Sequence, residues 1–147
     1  MTNSTDTKTE SNVGSRILAG FIDYLIIYGF FSAYVYTYGE PGSDGGYSVN
    51  GLPALIPILF WAIMTIGLEQ IFGATIGNSI AGLKPISING ISKKLSFGQS
   101  LLRHLFDPID MFFFGLVGIL TINNSEKNQR VGDIVAKTIV VKPKKEK

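Results

Sequence analysis

The run "SRILAGFIDYLIIYGFFSAYVY", Ser15 to Tyr36, is apolar almost throughout and carries Asp23 in its middle. From Ile17 to Tyr38 that aspartate is the only charge in 22 residues. At about 1.5 Å per residue a helix of this length reaches roughly 33 Å, enough to cross a hydrocarbon core of about 30 Å. The run is too long for the apolar part of a signal peptide, and no small-residue cleavage site follows it. It is predicted to be a transmembrane helix. An ionisable side chain at that depth is either neutralised by a partner or does work that needs a titrating group in a dry place.

The rest of the chain supports the membrane reading. Leu52 to Phe72 is a second apolar run whose only charge, Glu69, lies near one end. Of the 147 residues, enough for one domain, 16% are charged, against roughly 25% in ordinary soluble domains. There is no cysteine, which removes disulfides, thiolate zinc sites and thiol nucleophiles together. Residues 1–14 are small and polar and are expected to be a disordered tail. Residues 15–142 form the membrane domain and 143–147 a basic tail. The Gly-rich connection 39–51 holds Glu40 and Asp44 and no Lys or Arg, and Tyr34, Tyr36 and Tyr38 lead into it like an interfacial aromatic belt.

Two features fix the expected topology. In "LKPISINGISKKLSF", Leu83 to Phe97, two β-like runs flank Asn89-Gly90, a hairpin signal. "KTIVVK", Lys137 to Lys142, offers a further strand to complete a small sheet. Basic residues gather in three places: Lys8 and Arg16, Lys84 with Lys93 and Lys94, and the C-terminal group from Lys127 to Lys147. The positive-inside rule puts these on the cytoplasmic side of a cell membrane and the acidic loop outside.

Between hairpin and tail lies "FGQSLLRHLFDPIDMFFFGLVGILTI", Phe97 to Ile122. A single span here would carry seven basic residues to the outside. Its clean apolar part, Met111 to Ile122, is only 12 residues, and Pro108 offers a natural break. The fold class expected is therefore an α-helical, multi-pass integral membrane protein. It has two transmembrane helices, a broken, re-entrant third membrane segment, and a small cytoplasmic β-hairpin or sheet. A single tilted third span is the alternative.

The octets "RILAGFID" (Arg16 to Asp23) and "RHLFDPID" (Arg103 to Asp110) share the pattern R-x-L-x-x-x-I-D. In a helix this spacing sets Arg and Asp on one face about 10 Å apart. Arg16 alone can then escape to the headgroups, so Asp23 is expected to pair with Arg103, and Asp110 with Arg16, as a neutral cluster. Glu69 reads as a structural group or a partner of Arg16. His104 reads as a lone interfacial histidine beside Arg103, with a proton relay as the alternative. No phosphate loop, nucleic-acid patch or metal-ligand spacing is present in the sequence, and two spans are too few to shield an aspartyl protease site. Neither an enzyme nor a cofactor is expected.

These segments also resemble the RDD family of small membrane proteins, named for one arginine and two aspartates. The resemblance rests on the first Arg-x6-Asp helix, on "GATIGNSIAGLKPISINGISKKLSF" (Gly73 to Phe97), on "LLRHLFDPID", and on "NQRVGDIVAKTIVV" (Asn128 to Val141). It implies that Arg16 and Asp23 are the family's arginine and first aspartate. The second is carried onto Asp110, with Asp133 of the closing segment as its rival and Arg130 beside it. "GNS", Gly77 to Ser79, departs from the family, which often has basic residues there. The resemblance implies ion transport, including cation/proton antiport, with monovalent cations and protons as ligands and the lipid bilayer as environment. Size adds the expectation of a homo-oligomer, because two spans and a broken piece are too few to surround Asp23 and Asp110 and screen them from lipid. The alternative is a non-catalytic accessory module that binds lipid or a partner membrane protein.

Overall fold

Helix α1 runs from Val13 to Tyr38, 26 residues without a proline. It starts inside the segment read as a polar tail. Its length is about 39 Å at 1.5 Å per residue. Only Ala19 and Ile27 are buried in it, while Phe21, Leu25, Tyr28 and Phe31 stand exposed. An apolar exterior of this kind is costly in water and suits a surrounding of lipid chains. The computed structural model describes residues 9–89 and 94–143.

The second apolar run, Leu52–Phe72, is likewise long and apolar enough to cross a membrane. It opens as a 3-10 turn, Leu52–Ala54, with Pro53 where a missing N–H is least costly. It continues as α2 (Leu55–Ala62), a π turn (Ile63–Gly67) and α3 (Leu68–Phe72). The π turn turns Thr65 inward, 1% exposed, where its hydroxyl donates to the Trp61 carbonyl at 2.8 Å. Near the 39–51 loop the two long helices are joined by aromatics. Phe30 stacks on Phe60 with centroids 3.9 Å apart, and the Tyr34 hydroxyl donates to the Pro53 carbonyl. The loop itself closes as a two-residue pair of strands, β1 (Glu40–Pro41) and β2 (Tyr47–Ser48).

Gly73 ends α3 in the left-handed region at φ +81°, and its N–H donates to the Glu69 carbonyl. The chain then makes a short helix, α4 (Ile76–Ile80), and strand β3 (Lys84–Ser87). The partner of β3 is β4 (Thr138–Val141), antiparallel, with Lys84 opposite Val141 and Ser87 opposite Thr138. The sheet expected from the sequence thus forms between its first and last runs. The hairpin turn does not decide it: residues 90–93 lie outside the described residues, and Lys94 to Ser96 take no strand conformation.

The third apolar segment comprises α5 (Phe97–Leu105), α6 (Asp107–Asp110) and α7 (Phe112–Asn124). Ser96 and Gln99 form a reciprocal capping box at its start. Gln99 Nε2 also donates to Ser87 Oγ and the Ala136 carbonyl, tying α5 to the sheet. The segment then bends by 115°. Its break is not at Pro108, which sits in the first turn of α6 where proline is tolerated. The reversal falls at Phe113, Phe114 and Gly115, all with positive φ, a conformation that only the glycine adopts without strain. Past α7, Asn128 Nδ2 donates to the Thr9 carbonyl. Both ends of the bent segment therefore lie at the N-terminal end of α1, beside the sheet.

Helix α8 (Val131–Ala136) leads into β4. A single apolar core of Ala19, Leu83 and Val140 joins α1 to the β3 and β4 region. In a bilayer, single cysteines at Lys84 and Glu126 are expected to react with an impermeant thiol reagent from one side, and a cysteine at Ser43 from the other. Labelling of Glu126→Cys from the Ser43 side would show that the third segment crosses.

Candidate functional site

Asp23 lies on α1 against the turn that opens α4. Its Oδ2 accepts from the Thr75 hydroxyl at 2.6 Å and its Oδ1 from the Gly77 N–H at 2.7 Å. Thr75 can serve two neighbours because its hydroxyl also accepts, from the Asn78 N–H that it caps. Gly77 is required by contact. A Cβ there would overlap the Ala19 carbonyl and sit 2.8 Å from the Asp23 carboxyl carbon. The pairing of Asp23 with Arg103 expected from the paired octets does not occur. Neutral donors from the "GATIG" turn hold the aspartate instead.

Arg103, 2% exposed, reaches the other way. Its NH1 lies 2.6 Å from Glu69 Oε1 and its Nε 2.8 Å from Asp133 Oδ1. Glu69 also accepts from the Ser100 hydroxyl. Arg16 pairs with Asp133 at 3.1 Å and donates to the Asn128 carbonyl at 2.9 Å. It pairs with neither Asp110 nor Glu69. The physical reason is topological: Asn128 and the first turn of α8 pack over the start of α1, so that the Asn128 carbonyl and the Asp133 carboxylate both meet Arg16. Asp110 instead binds backbone, accepting from the Val131 and Gly132 N–H groups at 2.8 and 2.9 Å. A Cβ on Gly132 would stand 2.5 Å from the Arg103 carbonyl, so α8 can dock on α5 this closely only with glycine there.

Arg130 NH1 lies 2.7 Å from Asp107 Oδ1, with Asp110 and Asp133 each at 3.8 Å from its Nε. His104, 6% exposed, completes the network. Its Nδ1 is 2.8 Å from Asp107 Oδ2 and its Nε2 is 3.1 Å from Glu69 Oε1. The Tyr24 hydroxyl donates to the same Asp107 Oδ2 at 2.7 Å. Arg16, Glu69, Arg103, His104, Asp107, Asp110, Arg130 and Asp133 are thus one connected set of ion pairs. Burial pushes the Asp133 carboxyl up, but Arg103, Arg130 and Arg16 outweigh it and hold it at about 2.

Beside this network a cavity of about 320 Å³ opens between α1 and α7. Asp23, Tyr24, His104 and Asp107 line its polar side, and Phe21, Ile119 and Ile122 its apolar side. Among the described residues no three His, Asp or Glu side chains converge in a metal-ligating arrangement.

All seven sequence-derived candidates, Arg16, Asp23, Glu69, Arg103, Asp110, Arg130 and Asp133, fall in this region. Their partners are not those expected. Sequence reasoning missed Asp107, Thr75 and Gly77 as members of the site, and read His104 as peripheral. The signals were present: His104 and Asp107 stand three apart, on one face of a helical run, and Thr75 sits between two glycines of a turn.

The model of the RDD family matches residues 11–137, most of the chain. The chain belongs to the RDD family. No curated protein and no solved structure matches it. The arrangement above is therefore how this RDD chain places its arginines and aspartates.

Asp133→Asn is expected to cost about 3–5 kcal/mol, because it strands Arg16 and Arg103 in a buried site. The Asp133 carboxyl is lowered from 3.8 to about 2, so it adds stability above about pH 4 that is lost as the pH falls towards 2. Thermal unfolding in detergent should show this acid loss in the parent and a smaller one in Asp133→Asn. Thr75→Val removes a hydrogen bond to Asp23 and should cost about 1–3 kcal/mol. Gly77→Ala should be worse than Thr75→Val in the same assay, since the α1–α4 contact must open.

Proposed function

We propose that this RDD-family chain acts in a cell membrane as a cation/proton exchanger, with Asp23 as the exchanging carboxylate. The observation that carries the reading is the contrast between Asp23 and its neighbours. Of the other carboxylates lining the cavity, Asp107 is ion-paired to Arg130 at 2.7 Å and Asp110 lies 3.8 Å from the same arginine, whereas among the described residues Asp23 has only neutral hydrogen-bond donors. A carboxylate in a poorly hydrated site without a fixed counter-ion takes up either a proton or a mobile cation. Its place on the wall of a cavity gives either one access.

In this reading the N- and C-termini and the β3–β4 sheet are cytoplasmic, and the bent third segment is re-entrant. A second reading is favoured by the reach of the cavity, whose lining on α1 runs only from Val13 to Tyr24. A site confined to one end of the helix suits a non-catalytic accessory module that binds lipid or a partner membrane protein.

Purified protein in proteoliposomes separates the two. An exchanger should move protons when a sodium or potassium gradient is imposed, and Asp23→Asn should lose that flux while remaining folded, because its amide can neither carry a proton nor pair with a cation. Parental protein that moves no protons under any monovalent gradient would leave the accessory reading. Undiminished flux in Asp23→Asn would remove the aspartate from the mechanism.

A further inference from the structure

Every charge in the buried network has a partner if one more proton is counted. Arg16, Arg103 and Arg130 supply three positive charges, while Glu69, Asp107, Asp110 and Asp133 supply four negative ones. His104 lies at the join. A neutral imidazole has one N–H donor and one bare nitrogen, whereas an ionised carboxylate only accepts. Both His104 nitrogens face carboxylates: Nδ1 meets Asp107 at 2.8 Å and Nε2 meets Glu69 at 3.1 Å. Nε2 is enclosed and has no aligned hydrogen bond, its facing charged atom being Glu69 Oε1. A neutral ring would set a lone pair against one of these oxygens.

We propose that Glu69, His104 and Asp107 form a buried proton-binding site, occupied near neutral pH, with the proton on an imidazolium that is hydrogen-bonded to Asp107 and faces the Glu69 carboxylate. This rests on the exchange reading for its use and deepens it by naming where a proton is held. With the imidazolium present, the network's four positive and four negative groups balance, which is the least costly state for charges out of water. The groups that face the ring come from every element around it. Glu69 comes from α3, Asp107 from α6, and Arg130 from the start of α8; Asp23 and Tyr24 come from α1, and Arg103 is the neighbour in α5. Asp23, which also faces the ring, stands outside this balance and is neutralised by its own proton or by a cation in the cavity.

His104 is the single histidine of the chain, so nitrogen-15 labelling of histidine in the full-length protein, purified without a histidine tag and placed in nanodiscs, reports this ring alone. Near neutral pH both ring nitrogens should carry protons. One protonated and one bare nitrogen would overturn the proposal. Glu69→Gln removes the charge facing Nε2, and the ring should lose one proton at the same pH. A ring that keeps both in a folded Glu69→Gln would equally overturn the site as drawn. If that variant does not fold, the parental spectrum still decides. Flux is a separate readout: a doubly protonated ring in a protein that moves no ions would end the exchange reading and leave the proton site standing.

Discussion

Arg103 is a cation almost wholly removed from solvent, and the fold is arranged so that it is not left alone. Its guanidinium joins Glu69 from the second apolar helix to Asp133 from α8. Those carboxylates engage Arg16, Arg130 and His104 in turn. Removing a partner from such a pair leaves an uncompensated charge, which costs far more than the pair contributes when intact. The network therefore fixes relative positions more than it supplies net stability. It brings the start of α1, the end of the second apolar helix, the bent third segment and the C-terminal helix to one place.

The close approaches follow from the same requirement. Short charge-assisted contacts need backbones to come together, and side chains would hold them apart. Gly77 lets α4 lie on α1 so that its N–H reaches Asp23, and Gly132 lets α8 lie on α5 so that its N–H reaches Asp110. Asp110 is spent on backbone donors and leaves the arginines to Asp133. Two aspartates that look alike in the sequence thus do different work, one binding main chain and the other binding side-chain cations.

Polar groups and lipid-facing surface are segregated along the molecule. The half of α1 nearest the sheet faces the charge network and the cavity, while the other half packs through Phe30 on Phe60 and tyrosines near the 39–51 loop. The bent third segment covers the charged end of the helix pair. Its reversal through two phenylalanines with positive φ is strained, and in lipid the exposed rings of Phe112, Phe113 and Phe114 sit at its turning point.

Hydrophobic length and charge placement along the chain were enough to give the two long helices, a broken third segment though not the place where it bends, and the pairing region at Thr138–Val141. These are local or additive properties, and a bilayer or a sheet reads them directly. The same sequence marked Arg16, Asp23, Glu69, Arg103, Asp110, Arg130 and Asp133 as unusual, because charges in apolar surroundings are conspicuous. It could not say who pairs with whom. The repeated R-x-L-x-x-x-I-D pattern suggested exchanged partners, but equal spacing along two segments does not set those segments side by side. Only the tertiary structure decided that Asn128 and the first turn of α8 meet Arg16, that Thr75 and Gly77 take Asp23, and that His104 lies between two carboxylates. Each of those contacts joins residues tens of positions apart or depends on a bend, and neither composition nor periodicity carries that distance.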